Sequence, residues 1–243
     1  MSEITVTAAK FARLLDYLDH IGLDTALIAH SVHLNPRKIL DLPGDSPLPA
    51  QQYAWLYRAA VREMQKLRQP IPWGAGIGSE AFELMCHCII GERTLGGALA
   101  LAQRYDKLLY PMLGYNMRLL DDGEGDSVKL SYRINIPEDG SALAPAKWDR
   151  AGYQATVARA SGLEAWHAFC GWLTGQPLEA EEVRVAAPFL SQAYFEGLAA
   201  VFRCPIYFDA DENTLQFNRD ALARRIVHTP DSLAEFLDGI VYH

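Results

Sequence analysis

Thiols and an imidazole adjoin at Cys86-His87-Cys88, and the chemistries open to such a run are metal ligation and nucleophilic attack by a thiol. On a helix, residues two apart lie about 200° apart, so Cys86 and Cys88 cannot both face one ion; ligands from a single helix need i, i+3 or i+4 spacing. A base next to the thiol in sequence also points elsewhere. Buried thiols beside a polar histidine are therefore the simpler expectation, with no metal and no catalytic group. A small Cys/His-dependent enzyme using Cys86 or His87 stands as the alternative. Asp121, Asp122, Glu124 and Asp126 crowd one short loop, but their order is not that of a calcium loop and the closing glutamate is missing. Gly74, Gly76 and Gly78 follow no apolar strand and precede no Lys-Ser/Thr pair, so they predict a packing loop rather than a phosphate cradle. The chain has no G-x-S-x-G, P-loop or H-E-x-x-H motif.

Aromatic residues offer a different chemistry. The chain carries 5 Trp, 11 Tyr and 9 Phe, and Trp148, Tyr153, Trp166, Phe169 and Trp172 fall on one long helical pattern. Aromatic and apolar walls with a few polar groups make a small-molecule cavity, and a helix–sheet junction is a natural place for one. The expected ligand-binding residues are His87, Tyr132, Trp148, Trp166 and Phe169, no cofactor being required.

The elements that must position them follow from periodicity. Residues 1–70 read as a helical subdomain: Phe11, Leu14, Leu15, Leu18 and Ile21 recur at helical spacing, Asp24 can N-cap a second helix, and Pro36 opens a third. Pro49 suits the first turn of a longer helix striped by Tyr53, Tyr57, Ala60, Met64 and Leu67. Ser79 and Thr94 can cap two further helices. From residue 113 the period changes to two, with Val128, Leu130, Tyr132, Ile134 and Ile136 alternating with polar residues, and the loop at 121–126 makes a hairpin with 115–120. A long helix over 148–172 carries small residues through its middle, which admit a close neighbour. Short strands follow near 183–185, 206–208 and 215–217, with a helix over 191–202, and an amphipathic helix closes the chain. The class is α+β: a helical N-terminal subdomain packed on a small antiparallel sheet with a long helix, residues 71–243 forming the second region.

Composition bounds the partners. The chain has 243 residues, 50% hydrophobic and 21% charged, which excludes disorder and coiled coils. Its longest apolar runs fall far short of a bilayer span, and its start has no apolar leader, so a cytoplasmic protein without membrane contact is expected. The net charge is −8; residues 1–70 hold 8 basic against 7 acidic side chains, and the rest is more acidic. No segment has the basic excess that phosphate neutralisation needs, so DNA contact is not expected from these residues. Four cysteines without a disulfide framework fit a reducing compartment.

V-R-V-A-A-P at 183–188, Tyr194, V-F-R-C-P-I-Y-F at 201–208, N-T-L-Q-F at 213–217 and Leu222 resemble the N-terminal effector-binding, arabinose-binding-type domain of AraC-type transcriptional regulators. F-E-L-M-C-H-C-I-I at 82–90, T-L-G-G-A-L at 94–99 and Arg104-Tyr105 match that family's middle, and the segments near Gly22 and Leu48 are consistent with its opening. The resemblance implies a non-enzymatic domain that senses a small-molecule effector, dimerises, and controls a helix-turn-helix DNA-binding domain absent from these residues. It admits lipid-like, amino-acid-derived and sugar effectors. The last residues resemble the helix leading into the family's linker, so an excised sensor domain is expected.

Overall fold

The computed structural model describes residues 4–66, 74–135 and 153–239. A short strand β1 (Thr5–Thr7) leads into α1 (Ala8–His20), α2 (Thr25–Ser31) and α3 (Pro36–Leu40). Asp24 caps α2 by accepting from the Leu27 amide at 2.9 Å, and Asn35 caps α3, whose Pro36 needs no amide partner. Strand β2 (Pro47–Pro49) pairs antiparallel with β1, so Pro49 ends a strand and α4 (Ala50–Lys66) begins one residue later. The tyrosine stripe of α4 meets α1 in a cluster built on Phe11, Leu18, Leu56, Val61 and Met64, with Tyr53 edge-on to Phe11 at 5.2 Å.

The second cluster surrounds a five-stranded sheet. After a 3₁₀ turn (Gly74–Gly76) come α5 (Glu80–Ile89), capped by Ser79, and α6 (Leu95–Leu113), then the hairpin β3 (Tyr115–Leu120) and β4 (Ser127–Ile134). The long helix α7 (Tyr153–Thr174) precedes β5 (Ala180–Arg184), α8 (Gln192–Phe202), β6 (Ile206–Tyr207), β7 (Thr214–Asn218) and α9 (Pro230–Gly239). Strand order is β3-β4-β7-β5-β6, antiparallel except that β5 and β6 run parallel. A parallel neighbour needs a crossover, and α8 supplies it. The outer edge of β3 is closed by side chains of α6: Asp106 accepts the Met117 amide at 2.8 Å and Gln103 the Leu119 amide at 2.8 Å. Covering free amides in this way protects an edge strand from pairing with other chains.

Asn213, the first residue of the N-T-L-Q-F run, joins three elements. Its side-chain amide donates to the carbonyls of Tyr132 and Arg159 at 3.2 and 3.1 Å, and its Oδ1 accepts the Ala186 amide at 3.4 Å. The residue is buried, so truncation deprives the Tyr132 carbonyl and the Ala186 amide of a partner away from water, while the Arg159 carbonyl keeps its place in the α7 helix. Asn213→Ala is expected to cost about 2–3 kcal/mol in chemical denaturation, and a loss below about 0.5 kcal/mol would remove this joint from the fold's supports.

Candidate functional site

The face of α7 turned away from the sheet borders a cavity of about 460 Å³ between the two clusters. From α1 it receives Lys10, Arg13, Leu14 and Tyr17; from α4, Tyr53 and Tyr57. α7 contributes Tyr153, Val157, Ser161, Glu164, Ala165 and Ala168, which recur at helical spacing along one stripe. Gly74 and Ile77, Val201 of α8 and Phe236 of α9 complete the wall. Helix spacing explains each contribution: 10, 13, 14 and 17 share one side of α1, as 53 and 57 share one side of α4.

Several polar groups in the wall are already engaged. Tyr57 donates its hydroxyl to the Ile77 carbonyl at 3.0 Å, and Ser161 Oγ accepts the Gly74 amide at 2.9 Å. The charged groups are not engaged in the same way. Neither Lys10 nor Arg13 closes an ion pair with an acidic side chain among the described residues. The Lys10 ammonium stands 4.8 Å from the centre of the Tyr53 ring, a cation–π arrangement. Its proton affinity is lowered by burial, partly restored by the charge of Glu164 across the cavity. Glu164 is pushed up to about 7 by burial, with Lys10 drawing it back. The carboxyl therefore carries a proton for part of the time near neutrality.

α9 belongs to the site through Phe236. That ring stacks on Trp172 at 4.1 Å and lies 5.5 Å from Phe169, while His228 also stacks on Trp172, at 4.0 Å. Arg58 of α4 reaches across to α9, donating to the Leu237 carbonyl at 2.8 Å and pairing with Asp238 at 2.7 Å. One helix is thus held by both clusters and touches the cavity between them.

The residues expected from sequence fall elsewhere. Tyr132, Trp166 and Phe169 are brought together, but in the solid core among α5, α7 and the sheet, and none of them lines the cavity. His87 is exposed on α5, and Trp148 lies outside the described residues. The helix–sheet junction where a cavity was expected is filled by Tyr132, whose ring packs onto Gly162 of α7. Of the lining residues, Tyr53, Tyr57 and Tyr153 were legible only as apolar or aromatic helix positions; Lys10, Arg13 and Glu164 had no signal of their own beyond lying on the same helix sides as these apolar positions.

The earlier candidates for chemistry also find their places. Cys86 is buried and Cys88 exposed, on different sides of α5. Burial pushes the Cys86 thiol strongly up, and that of Cys170 up to about 12, so both are held as thiols. No group of three His, Cys, Asp or Glu side chains able to hold a metal ion occurs among the described residues. In the acidic hairpin loop, Asp121 and Asp122 accept the amides of Gly123 and Glu124, and Arg219 pairs with Asp121 at 2.9 Å. Gly76, at φ +75°, lies so close to the Tyr115 ring that an added Cβ would fall 2.3 Å from its hydroxyl, which makes the glycine run a packing turn.

The chain is a two-cluster α+β domain with an aromatic-lined cavity at its seam. Residues 22–226 match the family described as the arabinose-binding domain of AraC transcription regulators, N-terminal, and the chain belongs to that family. No curated protein matches it. A crystal structure of the transcriptional regulator CdpR from Pseudomonas aeruginosa is similar over 97% of this chain and 62% of that one, at 16% identity and a TM-score of 0.46. The chain thus spans less than two thirds of that regulator's length. Among the described residues, no helix is long and apolar enough to cross a membrane.

Proposed function

We propose that this chain is the ligand-sensing and dimerising part of an AraC-type transcription regulator, and that the cavity between α1, α4 and α7 is its effector site. The observation that carries this reading is the cavity itself: about 460 Å³ is within the range of small-molecule sites, and its wall is aromatic and apolar with few charged groups. An enzyme built on Cys86 or His87 gains no support, since neither residue lines the cavity and the Cys86 thiol is held protonated. Family membership supports a role in regulation, with DNA contact made by a domain outside these residues.

Signal transfer follows from α9. A ligand against Phe236 touches the helix that Arg58 and Trp172 hold from either side, so occupancy favours one placement of α9 over others. It does so only to the extent that the ligand binds those placements with different affinity.

Ala168 is exposed at the cavity edge, so Ala168→Trp narrows the site without disturbing a packed interior. A thermal-shift panel of small metabolites is expected to yield compounds that raise the melting temperature with concentration. The variant should bind those compounds at least about tenfold more weakly. Equal stabilisation of both proteins would place the effector site elsewhere.

A further inference from the structure

Two hydroxyls of the wall are committed within the protein, that of Tyr57 to the Ile77 carbonyl and that of Ser161 to the Gly74 amide and the Ala158 carbonyl, while Tyr17, Tyr53 and Tyr153 also border the cavity. What sets this wall apart from a neutral polar site is uneven charge on an apolar surface. Among the described residues of the wall, Lys10 and Arg13, one turn apart on α1, present two cations, against a single acid, Glu164, on α7. Neither cation has an acidic side chain within ion-pair distance among the described residues. The described wall therefore carries an excess of one positive charge with all three groups ionised, and more when Glu164 is protonated. Lys10 and Arg13 are exposed as whole residues, but burial of the ammonium lowers the proton affinity of Lys10, so an anionic head brought beside it is favoured.

We propose that the cavity takes an amphiphilic monocarboxylate, its head held by Lys10 and Arg13 and its apolar body lying against the tyrosine rings and Phe236. One negative charge neutralises the excess, and a guanidinium can grip a carboxylate through two parallel hydrogen bonds. A cationic amphiphile meets two like charges for one opposite charge and is disfavoured. Glu164 sets a limit on affinity, because its ionised form repels the head. This inference rests on the cavity being the effector site.

The test uses the full chain at pH 7 and a matched series: octanoate, 4-phenylbutanoate, octan-1-ol, octylammonium and L-arabinose, followed by calorimetry and thermal shift. Octanoate, 4-phenylbutanoate or both should bind at least about tenfold more tightly than the alcohol, with octylammonium and arabinose weaker still. The alkyl and aryl acids distinguish a lipid-like effector from an aromatic one. K10A/R13A, at exposed positions, should erase the preference of acid over alcohol, whereas E164Q should tighten acid binding several-fold. Tighter binding of octylammonium or arabinose than of either acid, an acid preference that survives K10A/R13A, or no binding by any acid would each overturn the proposal. If tight octylammonium or arabinose binding is lost in A168W, the cavity reading survives and only the carboxylate falls; binding of any of these compounds that A168W leaves unchanged overturns both.

Discussion

Gly162→Ala is expected to destabilise the domain by about 3 kcal/mol, a fall in melting temperature of roughly 6–12 °C. In an exposed helix the same change is favourable, since alanine exceeds glycine in helix propensity by about 1 kcal/mol. Here the sign reverses because the Tyr132 ring occupies the space: a Cβ at Gly162 would lie 2.0 Å from Tyr132 Cε1. Tyr132 cannot swing aside cheaply, being fully buried among Tyr115 and the strands of the sheet. The control is Tyr132→Ala, which opens the space; adding Gly162→Ala to it should cost little or even stabilise. A double-mutant cycle by thermal or urea denaturation reads that coupling. A Gly162→Ala variant as stable as the parent would mean that α7 and β4 are not packed ring-on-glycine.

That contact explains where sequence reading succeeded and where it missed. Alternation over 128–134 announced β4 because one of its faces is buried and the other largely wet: Val128, Leu130 and Tyr132 are buried and Lys129 and Arg133 exposed, while Ser131 between those two is buried. The caps at Asp24 and Ser79 were legible because each satisfies local amides three residues on. α7 was legible as a helix with small residues suited to close approach, but not in its orientation. It is apolar nearly all round, covering the sheet with Gly162, Trp166 and Phe169 while facing the cavity with Val157, Ala165 and Ala168. A period of 3.6 identifies one wet face, and α7 has none broad enough to mark. The site also depends on α1 meeting α7 across about 150 residues of chain, a pairing that leaves no mark in local spacing. Lys10 and Arg13 look like ordinary surface charges until α7 brings Glu164 opposite them. The parallel β5–β6 pair was hidden for a similar reason: each strand was visible, but their relative direction is set by where α8 packs.

Asp106→Asn is expected to make the protein more stable at pH 8 by about 1–3 kcal/mol and to remove about half of the fall in its stability between pH 5 and pH 8. Asp106 is 1% exposed, and burial pushes its carboxyl up from 3.8 to about 7, with the Met117 amide opposing the rise. An acid whose affinity for its proton is higher in the folded state favours folding fully below its unfolded value. That contribution is lost as pH rises through the folded value, so the window runs from about 4 to about 7. A shift of this size is worth about 4 kcal/mol at most. Asparagine keeps an oxygen for the Met117 amide, which Asp106 now accepts at 2.8 Å, and removes the ionisation. The edge of β3 therefore stays covered while its pH sensitivity goes. Glu164, raised by burial to about 7, acts with the same sign at the cavity. Half of the effect should then remain in the single variant and disappear in Asp106→Asn combined with Glu164→Gln, as followed by urea denaturation across pH. A single variant with the parent's full slope would show that Asp106 is ionised without penalty in the folded protein, and that α6 anchors β3 through a charged carboxylate.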